Sequence, residues 1–309
     1  MPTFRGFVQV RADRELYIEY VRPQAGKPTV ILLNGLTYSL RQFESYASAL
    51  TRRGIGVLRF DFNGMGATLL KYAPSLAPYP YDQQVADLKN LLKATGIRPP
   101  YNLAGLSYGG GIAVAYALTF PREIRNLILI APYTQPLSSQ DKMIQQQIWM
   151  TRRLFPSNPA TDDELYDFFL RQTVYSSYPT AEPIVLENPY KLEAIYNLVR
   201  GIRKFRPVDF ANRLPPGTVH VMQPMLDQYI PADLYETFWK RLLPGTRMSR
   251  LRVYQVEHKM TEFVPDFAAA WTWQILKGNP LLRQGRVFDA WPVSTGTVRS
   301  GNEVIRLDD

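Results

Sequence analysis

Residues 101–109 read Tyr-Asn-Leu-Ala-Gly-Leu-Ser-Tyr-Gly, and this stretch decides the fold. Its first part, Tyr101 to Leu106, is mostly apolar and predicts a buried β-strand. The small residues from Gly109 to Ala117 follow at once and predict a helix. The pattern G-x-S-x-G between the two predicts a sharp strand-to-helix turn with Ser107 at its apex.

Such a turn has a chemical use. It lifts the serine Oγ out of the sheet and points it at a helix N-terminus, where backbone amides and the helix dipole favour developing negative charge. Flanking glycines allow the backbone to approach closely at a strained position. We therefore expect Ser107 to be a nucleophile, the alternative being a buried serine in a glycine-rich turn.

The chain on both sides of this turn alternates between strand-like and helical segments. Thr29 to Leu33 is a continuous apolar run typical of a strand buried on both faces. The further strand-like segments are 56–62, 127–130, 218–222 and 251–256, and the helical ones are 40–53, 81–95, 110–120, 232–243 and 262–277. This alternation predicts an α/β fold with a mostly parallel central sheet and helices on both faces. Two runs at 4–10 and 15–21 predict an antiparallel hairpin at one edge.

The alternation stops between residues 133 and 214, where three helical segments are separated by proline-containing loops. An insertion of this kind is typical of a cap or lid. We therefore divide the chain into a first core part at 1–132, a helical cap at 133–214, a second core part at 215–278 and a C-terminal surface extension at 279–309.

A serine nucleophile needs a base, and the chain offers two histidines. His258 follows a strand-like run and precedes the last helix, which predicts a position at the carboxyl edge of the sheet, where catalytic groups collect. His220 lies inside the apolar run Val219-His220-Val221-Met222 and is better suited to a structural role. We expect His258 to be the base.

The acid that orients the base should lie between Ser107 and His258 in the chain. Asp227 follows a strand and begins a loop at the same sheet edge, although it could instead cap the next helix. Asp141 falls in the insertion, and Glu257 adjoins the histidine and would normally point away from it. We expect Asp227 to be the acid.

Two backbone amides should form an oxyanion hole. One belongs to Tyr108, directly after the nucleophile, and the other is expected from Leu36, in the loop Asn34-Gly35-Leu36-Thr37 after the first buried strand.

These motifs together resemble the α/β-hydrolase superfamily over residues 15–278, apart from the insertion. The matching segments are Asn34-Gly35-Leu36, Asp61-Phe62-Asn63-Gly64-Met65-Gly66, the turn at 105–109, the run from Leu226 to Pro231 and Glu257-His258. Many members carry His in place of Asn34 and Arg in place of Asn63, which puts the subfamily in doubt more than the chemistry. The resemblance implies the same triad and oxyanion hole in a serine esterase, a lipase or a lysophospholipase-like enzyme.

Substrate choice should depend on the cap. Trp149, Met150 and Tyr175 are expected to contact an apolar acyl group, together with other Met and aromatic residues that include Tyr178. The plainer interpretation is that these side chains pack the cap onto the core.

The composition of the chain limits which cofactors and binding partners are expected. The chain has no cysteine and only two histidines, so we expect no metal and no cofactor. Its net charge of +9 comes from scattered basic residues without a nucleic-acid-binding motif, which favours a solvated surface that steers anionic substrates or touches anionic lipid. No apolar run is long enough to span a bilayer. We expect a cytoplasmic protein, with an exported form open, and the oligomeric state is open.

Other functions use the same features. A thioester, amide or lactone hydrolase would need the same triad, and a non-catalytic small-ligand receptor could keep it. A protein that binds acidic ligands or a membrane surface would account for the charge but not for the turn at Ser107.

Overall fold

The computed structural model describes residues 3–36, 39–75, 77–177 and 191–307. Within them the strands are β1 (Thr3–Arg11), β2 (Arg14–Val21), β3 (Thr29–Leu33), β4 (Gly56–Phe60), β5 (Tyr101–Leu106), β6 (Ile124–Ile130), β7 (Val219–Pro224), β8 (Arg247–Val253), β9 (Arg286–Trp291), β10 (Thr297–Ser300) and β11 (Glu303–Ile305). The helices are α1 (Glu44–Arg52), α2 (Gly66–Tyr72), α3 (Tyr81–Ala94), α4 (Tyr108–Thr119), α5 (Ser138–Leu154), α6 (Asp162–Ser177), α7 (Lys191–Ile202), α8 (Ala232–Arg241), α9 (Met260–Phe263) and α10 (Pro265–Leu276).

All of these strands belong to one sheet, in the order β1-β2-β4-β3-β5-β6-β7-β8-β9-β10-β11. The strands from β4 to β9 are parallel, whereas β1, β2, β10 and β11 pair antiparallel with their neighbours. Strands β3 and β5 are almost completely buried, because helices cover both faces of a parallel sheet. The predicted α/β architecture and the leading hairpin are confirmed.

Two helical layers enclose the sheet: α1 packs against α10, and α3 packs against α4. Helix α4 is buried along nearly all of its length, from Tyr108 to Ala117. It lies against β5 and β6, so the turn that begins it is held inside the core. This burial explains why its sequence is apolar all round rather than amphipathic.

Helices α5, α6 and α7 lie in the chain between β6 and β7. They share a small apolar cluster of their own, which contains Ile144, Ile148, Leu165, Leu170, Val174, Ile195 and Tyr196. Helix α7 also reaches the main core through Ala194, Leu198 and Ile202. Leu36 is partly buried against both clusters, so the loop after β3 contacts the inserted helices as well as the core.

The C-terminal segment differs from the prediction. Residues 279–309 were expected to form a surface extension, but β9 pairs parallel to β8, and β10 and β11 continue the sheet. Phe288, Ala290 and Val298 are fully buried, and Asp289 forms an ion pair with Arg252 on β8. From Val287 to Trp291 half-buried and buried residues alternate with the period of a strand.

Candidate functional site

Ser107 is the single residue between β5 and α4. Its φ of 51° and ψ of −115° lie in a region that non-glycine residues rarely adopt. Two elements hold it there: its N–H donates to the Ile130 carbonyl at 3.0 Å, and its own carbonyl accepts from Tyr133 N at 2.9 Å and Gly111 N at 3.2 Å. The surrounding structure therefore stabilises a strained backbone at the serine, as expected of a nucleophile turn.

The glycines on either side are required by close packing rather than by flexibility. A Cβ on Gly105 would overlap the backbone of Gly109, and a Cβ on Gly109 would overlap the Leu33 carbonyl. A Cβ on Gly35 would lie 3.7 Å from the Ser107 Cβ. The loop after β3 therefore runs directly beside the serine, where the second oxyanion amide is expected.

His258 and Asp227 come together at the carboxyl ends of β8 and β7. His258 Nδ1 lies 2.9 Å and 3.0 Å from the two carboxylate oxygens of Asp227. Both side chains are nearly buried, with 9% and 2% of their surfaces exposed. An Nδ1–H that donates to this carboxylate leaves Nε2 as the basic nitrogen of the ring.

Asp227 is held as an anion by further donors. It accepts hydrogen bonds from the backbone N–H of Tyr229 and Ile230, each at 2.9 Å, and from the Tyr235 hydroxyl. Burial alone would raise the pKa of Asp227, but the bonds from His258, Tyr235 and Ile230 outweigh it and hold that pKa below its ordinary value. The Tyr229 ring also meets the His258 ring edge-on, with 5.0 Å between their centroids. The sequence analysis missed both Tyr229 and Tyr235.

Ser107 lies at the same edge of the sheet as His258 and Asp227 but is not hydrogen-bonded to either of them. Among the residues that the structure describes, the Ser107 Oγ makes no hydrogen bond. The strands that carry Ser107, Asp227 and His258 end at one edge of the sheet, in the order β5-β6-β7-β8. Catalytic hydrogen bonds are often long before substrate binds and shorten in the complex.

The other titratable candidates lie elsewhere. His220 is buried in β7, its Nδ1 is 2.8 Å from the Ser249 hydroxyl, and burial lowers its pKa to about 3. Asp141 pairs with Arg203 and accepts a hydrogen bond from Tyr166 within the inserted helices. Glu257 is exposed.

The expected oxyanion donors belong to the two segments that meet at the serine. Tyr108 is the first residue of α4, and Leu36 follows Gly35 in the loop after β3, while Thr37 lies outside the described residues. Gln42 stabilises that loop, because its Oε1 accepts the Gly35 N–H at 2.8 Å. The Gln42 amide nitrogen also lies 3.4 Å from Glu262, four residues after His258.

The predicted acyl-contact residues are on the surface of the inserted helices. Trp149, Met150 and Tyr175 are 57%, 46% and 36% exposed, and the Tyr175 hydroxyl donates to Glu193 at 2.7 Å. Tyr178 lies outside the described residues. Contact with substrate stays a prediction for this group.

Within residues 3–36, 39–75, 77–177 and 191–307, no three or more acidic or histidine side chains are grouped to hold a metal ion. No helix in the same ranges is both long and apolar enough to cross a membrane.

Known proteins resemble this chain in sequence and in fold. Lipase 3 from a Moraxella species is 32% identical over 150 residues, which cover 48% of this chain and 46% of that protein. The matches span less than half the length of the first curated relatives. An esterase from Thermogutta terrifontis has a similar structure, with a TM-score of 0.62 and 16% identity over 90% of this chain and 98% of that one. An enol-lactonase from Burkholderia xenovorans has a TM-score of 0.60 and 20% identity over 85% and 97%.

The structural matches show the fold alone at these identities, whereas the family match is made by sequence. The sequence model of one family, described as serine aminopeptidase, S33, matches residues 24–254. This range includes Ser107 and Asp227 and ends four residues before His258. Since this match covers well over half of the 309 residues, the chain belongs to the serine aminopeptidase S33 family of α/β-hydrolases, and the resemblance inferred from the sequence is confirmed.

Proposed function

We propose that the protein is a serine hydrolase that cleaves carboxylic esters through an acyl-enzyme on Ser107. The observation that carries the proposal is the hydrogen-bonded pair of His258 and Asp227, at the sheet edge where the strained Ser107 follows β5. Names of relatives, a lipase and an esterase, support an ester as the bond cleaved.

In the first half-reaction the Ser107 Oγ attacks the ester carbonyl carbon and its proton passes to His258 Nε2. The Asp227 carboxylate fixes the ring tautomer through Nδ1 and stabilises the imidazolium that forms. The backbone N–H groups of Leu36 and Tyr108 donate to the tetrahedral oxyanion, where charge develops in the transition state.

Collapse of this intermediate breaks the bond to the alcohol oxygen, and His258 donates its proton to the leaving alcohol. Water then attacks the acyl-enzyme carbonyl as His258 takes one of its protons. A second tetrahedral intermediate releases the carboxylic acid, and the proton returns to the Ser107 Oγ.

For the substrate we propose an apolar acyl ester, with the insertion at 133–214 acting as a cap and with Trp149, Met150 and Tyr175 contacting the acyl group. All three side chains are partly exposed, so an acyl group can reach them, and this supports the proposal. Leu36 contacts the inserted helices next to the oxyanion loop, which supports a path between cap and serine.

The substrate could be presented by a lipid surface, and one face of α5 fits such contact. Met143, Met150 and Leu154 repeat at helical spacing and are all more than 40% exposed, while Lys142 and Arg153 lie beside them. We expect the protein to sediment with anionic vesicles and Leu154→Asp to weaken this. Equal sedimentation of both proteins would contradict the lipid contact.

The central test compares Ser107→Ala with the wild type in hydrolysis of a p-nitrophenyl ester. Loss of the nucleophile should lower kcat by at least about 1,000-fold. Ser139→Ala, an exposed serine on α5, is the matched control and should keep the wild-type rate. A Ser107→Ala variant that retains the wild-type rate would refute the mechanism.

A second measurement separates an enzyme from a receptor. A fluorophosphonate probe should label the wild type at Ser107 and leave Ser107→Ala unlabelled. A wild type that binds acyl ligands without reacting would favour a receptor. With one acyl chain fixed, a panel of ester, thioester, amide and lactone then identifies the bond that is cleaved fastest, which we expect to be the ester.

A further inference from the structure

A cavity of about 180 Å³ lies at the opposite edge of the sheet from Ser107. It is formed at the amino ends of β6, β7 and β8 and by the chain that follows α10; its lining residues include Arg125, Asn126, His220, Lys277 and Arg283. About 10–15 Å³ of such space is enough for one water molecule, so a polyatomic ligand can enter.

The charge of this cavity is positive. Arg125, Lys277 and Arg283 are exposed at its rim, and none of them forms an ion pair with any described residue. No Asp or Glu occurs among the described lining residues. Helix α10 ends at Leu276 and brings the partial negative charge of its C-terminus, but three full cationic charges exceed it.

His220 supplies a buried donor at the same place. Only 2% of its surface is exposed, and burial lowers its pKa to about 3, so the imidazole is neutral. Its Nδ1 lies 2.8 Å from the Ser249 Oγ, and that contact is the only hydrogen bond of the Ser249 hydroxyl within the described residues.

The tautomer of His220 follows from this contact. A fully buried hydroxyl needs an acceptor for its proton, and Nδ1 is the acceptor available to Ser249. The ring proton is then on Nε2, which has no hydrogen-bond partner in the described parts of the chain. Nε2 is not one of the fully buried, unpartnered nitrogens among the described residues, so it is open to the cavity that His220 lines, and an acceptor there can bind it.

We propose that this cavity binds a small oxyanion of the phosphate class, either free phosphate or a phosphomonoester. The His220 Nε2–H donates to it from the inner wall, and Arg125, Lys277 and Arg283 neutralise its charge at the rim. The site is distinct from the proposed hydrolytic site, because Ser107, Asp227 and His258 follow the carboxyl ends of β5, β7 and β8, at the opposite edge of the sheet.

Isothermal titration calorimetry at constant ionic strength tests the proposal, with inorganic phosphate and glycerol phosphate as separate ligands and chloride as the reference. We expect one site per chain. Replacing both rim arginines, Arg125→Gln with Arg283→Gln, should raise the Kd for phosphate by about tenfold or more, because each substitution removes a charged donor.

The matched control is Arg241→Gln with Arg299→Gln, which removes the same charge from exposed positions outside the cavity and should leave the Kd unchanged. Equal weakening in both double variants would mean nonspecific attraction and overturn the site, as would phosphate that binds no better than chloride. His220→Phe, checked for folding by circular dichroism, should also weaken binding. Glycerol phosphate that binds more tightly than phosphate would identify a monoester as the ligand.

Discussion

Helices α4 and α5 are both apolar in part, but they are packed in opposite ways. Every residue of α4 from Tyr108 to Ala117 is buried, whereas the buried residues of α5 are Ile144 and Ile148. Helix α4 follows directly after the turn at Ser107, and α5 carries Trp149 and Met150 on an exposed face. A buried helix cannot shift without disturbing its neighbours, but an exposed face can change freely. In our proposal the buried region carries the chemistry and the exposed one determines substrate choice.

The largest effect is expected for a change in the rigid region. Asp227→Asn should lower kcat by about 10³- to 10⁴-fold, because the amide no longer favours the Nδ1–H tautomer of His258. The control Asp141→Asn removes a carboxylate that pairs with Arg203 among the inserted helices and should keep kcat near the wild-type value. Similar losses in both variants would erase the distinction between the two regions.

The next effect concerns stability. Gly109→Ala places a methyl group on the Leu33 carbonyl and should lower the free energy of unfolding by about 3 kcal/mol. Gly245→Ala is the matched control, because a Cβ there meets nothing within 4 Å. Urea denaturation of both variants measures the difference, and a Gly109→Ala protein as stable as the control would show that this turn is not tightly packed.

A smaller effect should appear as a function of pH. Burial raises the pKa of Asp61 to about 6, despite hydrogen bonds from the backbone N–H of Leu40 and Ala67. The folded state therefore holds this proton more tightly than the unfolded state, in which the pKa is about 3.9. Stability should fall as pH rises from about 4 to about 6, by on the order of 2 kcal/mol, and then level off.

Asp61→Asn removes this titration and should flatten the stability curve between those two pH values. Urea midpoints measured at half-unit steps provide the comparison. A variant that keeps the same fall as the wild type would assign the pH dependence to other groups.

The smallest effect is expected on the exposed face. Trp149→Ala with Met150→Ala should leave hydrolysis of an acetyl ester unchanged and lower kcat/KM for an octanoyl ester by a few-fold. Leu243→Ala, an exposed apolar residue outside the inserted helices, is the control. An unchanged acyl-chain preference would remove Trp149 and Met150 from substrate binding, and strict preference for acetyl esters in the wild type would refute the apolar pocket.

Two of the central strands could be predicted to the residue, whereas the predicted bounds of β4, β6, β7 and β8 differ from the observed ones by up to four residues. Thr29–Leu33 and Tyr101–Leu106 have the predicted bounds, because strands buried on both faces are continuous apolar runs between polar or glycine residues. Helix α4 begins one to two residues before its predicted start, since Tyr108 is already helical directly after Ser107. Strand β9 was missed because its alternation is short and contains Arg286 and Asp289, which read as surface residues.

The candidate site, too, could be predicted from the sequence only in part. The order of Ser107, Asp227 and His258 along the chain indicated a common sheet edge, and local patterns were enough for that. The support of the site could not be predicted: Gln42 and Tyr235 lie only seven and eight residues along the chain from Gly35 and Asp227, but which side chain turns back onto the loop depends on how the following helix packs on the sheet.

By itself the sequence determined the parallel sheet, the turn at Ser107 and the residues able to act there, because hydrophobic periodicity and glycine positions act over a few neighbours. Only the tertiary structure decided that the chain after residue 279 extends the sheet, that Trp149 and Met150 are exposed, and that His220 lines a cationic cavity. These depend on which surfaces meet, and burial is a property of contacts between segments far apart in the chain.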